Sequence, residues 1–330
     1  MAHLPSRTVW GRQTLRRPKM IARRRIVLGT FVLLIVACCC VSTSLAQDSP
    51  ASLATKRQTQ VIVTITDTPG RYVGGLHKDQ VTMLDNGVPR EVLIMEESTF
   101  PVSIGLLFNI SRSRYRDSLA VARKTILNFF DVPQRTNEYF FMAFDENGIF
   151  TTAWTREPKE LISGFDKLQS VKPSQSVTTY DALEAVIKKM GDTSHVKRAV
   201  IMISDLNDPG STPKRDQVLE MLKRSKVLVY AIVVDTGLLP RSSVRPALDR
   251  ICSLSGGFAK DARNTAEFLD LMEIISLELR HQYLISFIPS GSAGDWHRLS
   301  FAVKPLTSSS KKIEKVPLFA RSREGYYFTH

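Results

Sequence analysis

Asn109, Ser111 and Ser113 form an N-x-S-x-S step directly after an apolar run, Val102 to Phe108. The spacing is that of a D-x-S-x-S metal loop with Asn in place of the first Asp. Two hydroxyls at i and i+2 after a buried strand can point at one hard cation at the carboxyl end of a sheet. Mg²⁺ takes oxygen ligands in near-octahedral geometry and usually keeps several waters. An Asn carbonyl is a legitimate ligand for such an ion, but it brings no charge. Arg112 and Arg114 flank the step and would repel a cation. Asp205 follows a second apolar run, Val200 to Ser204, and Asp208 lies close behind. The polar segment Ser174 to Thr179 precedes a helix pattern that opens on Tyr180-Asp181. Three loops at the carboxyl edge of one sheet could therefore converge on one ion.

Plainer roles compete at each position. Ser111 and Ser113 suit the amino end of the next helix, which needs oxygen acceptors. Asp181 suits a helix start, and Asp208-Pro209-Gly210 is a turn signal. Asp145 and Asp235 also follow strands, which is common in α/β folds without catalysis. A metal-dependent hydrolase built on Asp205, Asp208 and Asp145 is the enzymatic alternative. It lacks a nucleophile with an orienting partner: the chain has no G-x-S-x-G, H-E-x-x-H or P-loop sequence and no Cys–His pairing. His77, His195, His281 and His297 show no metal spacing and read as surface. Trp154, Trp296, Tyr283, Tyr326 and Tyr327 read as packing aromatics.

The elements that must position these residues change rhythm twice. Val61–Ile65, Val81–Leu84 and Val88–Met95 read as short β-branched strands, with a hairpin signal at Asp85-Asn86-Gly87. From Pro101 continuous apolar runs (102–108, 139–144, 199–203, 227–234) alternate with helix patterns near 117–130, 159–168, 181–190, 215–225, 244–254 and 266–279. Such alternation predicts a parallel sheet covered on both faces, which binds ligands beyond the carboxyl ends of its strands. After Arg280 the pattern returns to β, at 282–288, 298–303, 316–319 and 326–328.

Net charge is +13 over 330 residues. Eight of the basic residues lie within 1–46, where there is no acid; without them +5 remains. No Lys/Arg stripe interleaved with aromatics follows, so nucleic acid is not an expected partner. The basic segment precedes the apolar run Ile26–Val41 and the small-residue site Ser44-Leu45-Ala46, the pattern of a secretory signal. Met20 offers a second start. Cleavage after Ala46, lipidation at Cys38 within Ile35-Val36-Ala37-Cys38, and an uncleaved anchor stay open, and the last two supply the only expected membrane contact. Cys252 is the one cysteine after Ala46, and its apolar helix pattern predicts a buried, inert thiol.

The order and spacing of several segments carry a resemblance. They are Val63-Thr64-Ile65-Thr66-Asp67, Gly70-Arg71-Tyr72-Val73, Asp85-Asn86-Gly87-Val88-Pro89, Pro101 to Phe108, Thr179-Tyr180-Asp181-Ala182-Leu183, Ser253-Leu254-Ser255-Gly256-Gly257, Leu279-Arg280-His281-Gln282-Tyr283 and Gly325-Tyr326-Tyr327. Together they resemble a von Willebrand factor A-type domain with its metal-ion-dependent adhesion site. More narrowly they resemble the VWFA-related family of exported, acidobacterial-type proteins. The resemblance spans about residues 58–328. It implies a Rossmann-like α/β domain with a mostly parallel, doubly wound sheet at 101–280. A β-sandwich would form from 58–100 and 281–330, after a signal at 1–46 and a linker at 47–57. It also implies Ser111 and Ser113 as direct ligands and Asp205 acting through water or from behind the direct ligands.

Three departures weaken that site. The family Asp is Asn109, the ligand Thr falls on Val177 with Thr178 one residue off, and the family D-G is Asp205-Leu206. The expected metal set is thus Asn109, Ser111, Ser113, Thr178 and Asp205, binding Mg²⁺ or Mn²⁺ weakly. The expected function is an exported, non-enzymatic adhesion module that binds a protein or surface polymer. A structural scaffold in an envelope assembly is its near neighbour.

Overall fold

The computed structural model describes residues 58–97, 100–110, 123, 136–145, 148–168, 179–193, 195–204, 215–234, 245–292, 294–307 and 315–328. The leader, the linker and the helix pattern at 117–130, Arg123 excepted, lie outside them. Residues 53–330 form one compact unit.

Four strands come first: β1 (Thr59–Asp67), β2 (Val81–Asp85), β3 (Val88–Arg90) and β4 (Val92–Glu97). Six follow: β5 (Val102–Asn109), β6 (Glu138–Asp145), β7 (Gly148–Thr151), β8 (Lys197–Ser204), β9 (Val227–Val234) and β10 (Ala259–Ala262). Among them run helices α1 (Pro158–Leu168), α2 (Thr179–Lys189), α3 (Arg215–Arg224), α4 (Arg245–Ser255) and α5 (Thr265–Arg280). The tail supplies β11 (Tyr283–Phe287), β12 (Trp296–Val303), β13 (Leu306–Thr307), β14 (Lys315–Val316), β15 (Leu318–Ser322) and β16 (Gly325–Tyr327).

The six middle strands make one sheet in the order β10-β9-β8-β5-β6-β7, parallel except for β7. β5 is buried along all but its last residue, as a strand covered on both faces must be. Its alternation divides two cores. Ile104, Leu106 and Phe108 pack with Phe268, Leu271 and Ile275 of α5. Leu107 packs in the other core with Leu183 and Val186 of α2 and Ile251 and Leu254 of α4. β7 and β10 were not legible as strands: each is four residues long, too short to show a period.

Eight of the other ten strands form two four-stranded sheets, β15-β1-β11-β4 and β16-β12-β2-β3, and β13 pairs with β14 alone. Their inner faces share one apolar core, so the chain's two ends build one sandwich around the α/β segment. Tyr283, Ile285 and Phe287 face that core, as their alternation predicts. The same alternation predicts Val61, Val63 and Ile65 on the opposite wall of the sandwich, and there the structure differs. They lie in the same sheet, with Val61 paired to Ile285 and Val63 to Tyr283. Val81, Met83, Leu299 and Tyr326 form the other wall. The single strand expected at 88–95 breaks at Glu91: β3 pairs with β2 and β4 with β11. One straight strand cannot line both walls, and the break carries the chain across.

The outer face of the first sheet meets the α/β part through a buried carboxylate. Glu278 of α5 is 1% exposed. It accepts from Tyr230 Oη at 2.7 Å, Thr64 Oγ1 at 3.1 Å, Tyr72 Oη at 3.3 Å and the Arg321 guanidinium at 2.5 Å. Gln282 Nε2 donates to Tyr230 Oη at 3.1 Å and Thr64 Oγ1 at 3.3 Å. A buried charge is tolerable only when paired and fully hydrogen-bonded, and residues from both parts complete this set. Arg323 donates to the carbonyls of Lys223 (2.6 Å) and Ser225 (2.7 Å), capping the end of α3. The motifs 63–67, 70–73 and 279–283 thus meet at this joint.

Lys197 lies beside the joint, 1% exposed, with Nζ donating to Leu279 O at 2.8 Å. Burial drives its ammonium down to about 8, and Glu278 offsets part of that. The unfolded chain then binds more protons than the folded one between pH about 8 and about 10.4, so stability from this group rises with pH in that window. Below it, lysine is charged in both states and the full cost stands. Urea unfolding of wild type and Lys197→Met across this range should show wild type gaining about 3 kcal/mol relative to the variant. Groups that titrate alike in both proteins, such as the Cys252 thiol pushed up by burial, cancel in the difference. A pH-independent difference would refute the assignment.

Candidate binding edge of the central sheet

β5 is the central strand, and the chain leaves it first toward β6 and β7, then returns to lay β8, β9 and β10 on its other side. The strand order reverses between β5 and β8. In open α/β sheets that reversal point, outside the carboxyl ends, is where ligands bind. Asn109 ends β5 there and Ser204 ends β8. Asn109 Nδ2 donates to Ser204 Oγ at 3.4 Å. Asp145 ends the neighbouring β6 and is 5% exposed. Ile110 N donates to Phe144 O at 3.0 Å, which keeps the chain on β6 one residue past the strand.

α2 connects through a short 3-10 turn to the start of β8, so its amino end opens at the same edge. It begins at Thr179, whose buried hydroxyl has no hydrogen-bond partner among the described residues. Ser111, Ser113, Val177, Thr178, Asp205, Asp208 and Asp235 lie outside the described residues. The two described oxygen ligands at the reversal point, an amide carbonyl and a hydroxyl, are neutral and bring no charge to a divalent cation. Among the described residues no group of three or more His, Cys, Asp or Glu side chains could hold a metal ion.

A polar cluster at the opposite, amino edge has no signature in spacing. Ser103 Oγ donates to Glu138 Oε1 at 2.6 Å and lies 2.9 Å from His195 Nδ1. The Thr193 hydroxyl contacts both Ser103 and Glu138. Burial pushes the Glu138 carboxyl up, but hydrogen bonds from Ser103 and Thr193 and the nearby His195 outweigh it and hold it below the usual range. By residue type this is a nucleophile, a base and an acid. Yet Ser103 is fully buried, and its proton goes to the carboxylate rather than the imidazole. The cluster ties together the starts of β5 and β6 and the turn before β8.

Three histidines depart from the surface reading: His195 and His281 are half-buried, and His297 is buried with Nδ1 2.7 Å from Asp85 Oδ1. Tyr326 Oη donates to the same carboxylate at 3.1 Å, so the Asp85-Asn86-Gly87 hairpin is anchored inside the sandwich. Cys252 is buried, as its helix pattern predicts.

No family model matches the chain, and no curated protein matches it. Solved structures do. Proximal thread matrix protein 1 from the mussel byssus is 16% identical, covering 56% of this chain and 50% of its own, with a TM-score of 0.45. This chain therefore spans about half the length of that protein. A von Willebrand factor type A structure from Catenulispora acidiphila is 9% identical over 83% of this chain and 74% of its own, TM-score 0.45. The vWF domain of the type V pili tip protein Mfa5 from Porphyromonas gingivalis is 11% identical over 59% and 99%, TM-score 0.43. The class rests on strand order and helix layering rather than on these overlaps. It is a Rossmann-like, von Willebrand factor A-type α/β fold joined to a β-sandwich. Among the described residues no helix is long and apolar enough to cross a membrane.

Proposed function

We propose that this chain is an exported, non-enzymatic interaction module. It binds a protein or surface polymer at the carboxyl edge of its central sheet, through a metal-ion-dependent adhesion site that has lost charge. Asn109 carries the reading. It stands at the reversal point of the strand order, where a ligand is expected, and it puts a neutral amide where the resembling family has a carboxylate. Adhesion here relies on direct contacts by the edge rather than on a resident ion. The export reading rests on the basic and apolar run that ends at Ser44-Leu45-Ala46.

Calorimetric titration with Mg²⁺ and Mn²⁺ tests the site. Wild type should bind either ion weaker than micromolar, or not at all. The double change Asn109→Asp with Val177→Thr should strengthen binding at least about tenfold, roughly 1.4 kcal/mol. Binding of wild type to envelope fractions should survive a chelator. Micromolar metal affinity in wild type, or envelope binding abolished by chelation, would overturn this reading. Hydrolysis has less support: Asp145 is buried, and the Ser103 hydroxyl is committed to Glu138.

A further inference from the structure

A charge drawn out of water is tolerated when an opposite charge and hydrogen bonds replace its hydration. Glu278 and Arg321 obey that rule. Three cations at the amino edge of the central sheet do not. Arg198 stands at the start of β8, Lys226 in the turn before β9, and Arg323 in the turn between β15 and β16. Arg198 pairs with Val227 in the β8–β9 register, so Lys226 lies one residue from that partner. Arg323 donates to the carbonyl of Ser225, the residue before Lys226. Three segments far apart in sequence thus bring their charges to one place.

Among the described residues no carboxylate pairs with any of them. The nearest acids in sequence are committed elsewhere: Glu324 to Arg250, and Glu220 to Lys223 and Arg224. Partial burial, and then the charges of Arg323 and Arg198, hold the Lys226 ammonium below the usual lysine range. Burial pushes the Arg323 guanidinium down to about 10. Arginine still keeps its proton at physiological pH, so it cannot escape by turning neutral. Both guanidiniums are held in fixed orientation. Arg198 donates from Nε to His195 O at 3.0 Å and from Nη2 to Thr193 O at 2.9 Å, and its Nη1 makes no hydrogen bond among the described residues. Arg323 donates to the carbonyls of Gly325, Ser225 and Lys223. Capping of α3 explains one cation at that helix end. It does not explain three without an acid.

We propose that Arg198, Lys226 and Arg323 form a binding site for a dianionic phosphate group, either free phosphate or the monoester head group of a lipid. Phosphate suits the set because its oxygens accept from guanidinium forks held in place, while the ammonium adds a movable point charge. A dianion also balances three cations better than a single carboxylate does. Lys226 is exposed, so the cluster is open to solvent. The site lies at the edge of the sheet opposite Asn109 and does not depend on what binds there.

Residues 53–330, one compact unit, keep the basic leader out of the test. Calorimetric titration with inorganic phosphate, at an ionic strength held by sodium chloride, probes the free anion. Co-sedimentation with phosphatidylcholine vesicles carrying phosphatidic acid probes the head group, with phosphatidylglycerol as the monoanionic control. Wild type should bind at least one probe, and the arm that responds names the source. Lys226→Gln should weaken that binding about tenfold, the loss of one charge-assisted contact. Lys226→Arg should retain it. Lys304→Gln removes the same charge from an exposed position elsewhere and should leave binding unchanged. Binding of neither probe overturns the proposal. So does an equal loss in Lys304→Gln, binding indifferent to Lys226→Gln, or vesicle binding alone that is as strong on phosphatidylglycerol.

Discussion

Gly257→Ala should cost at least about 3 kcal/mol, above the usual range for overpacking. A Cβ built on Gly257 would lie 2.0 Å from Val229 O and 2.7 Å from Val229 C. Both are backbone atoms of β9, which is held between β8 and β10. Nothing there can rotate away. The segment from α4 to β10 is also pinned from its own side: Val229 N donates to Ser255 Oγ at 2.8 Å, and Ala231 N donates to Phe258 O at 2.9 Å. Its neighbour Gly256 has φ of +94°, and a Cβ there would meet Arg323 N at 2.6 Å. Gly191→Ala is the matched control, because a Cβ there meets nothing within 4 Å. Urea midpoints decide: equal midpoints for the two variants would mean that the close approach carries no weight.

Glu278→Leu should cost about 3–5 kcal/mol, the cost of breaking a buried ion pair from one side. The change strands the guanidinium of Arg321 and removes the acceptor of Tyr230, Tyr72 and Thr64 together. Arg321→Leu alone should be costly for the converse reason. The double variant should recover much of the loss, since an apolar pair of similar volume often replaces a buried ion pair at little cost. A double-mutant cycle should therefore give a coupling above about 2 kcal/mol. A single-variant cost under about 1 kcal/mol would show that the hub is not what joins sandwich and sheet.

The resembling motifs were visible in the sequence, but their work was not. Gly256-Gly257 reads as a loop, and only the fold reveals that β9 and Arg323 press against it. Tyr230, Thr64, Tyr72 and Glu278 sit in four separate segments with no shared period, so no local pattern could unite them. The continuous apolar runs were legible as β5, β6, β8 and β9 because burial on both faces removes polar alternation. Alternation at 283–287 foretold the inward face of β11. It could not foretell its neighbour, since period two names a face and leaves the partner open. At the candidate edge, position 109 was legible as the end of a strand. The chemistry of Ser111, Ser113, Thr178 and Asp205 stays where the sequence left it, as an expectation. The Ser103–Glu138–Thr193–His195 cluster was invisible for the same reason as the joint.

The pairing of β1 has a consequence for the order in which this molecule is made. Its neighbours are β11 and β15, with Thr59 set against Phe287 and Val63 against Ser322. A chain that emerges amino end first, from a ribosome or a translocation channel, delivers β1 long before either neighbour exists. The parallel pairs of the middle sheet join strands closer in sequence and can form while β1 waits. Once folded, they draw the two flanks together, and closing a long gap costs only slightly more than closing a short one. The sandwich is therefore the last part to assemble. Until β11 appears, β1 stands with both edges open, and until β15 appears with one, which is when a nascent strand is most prone to pair with the wrong chain.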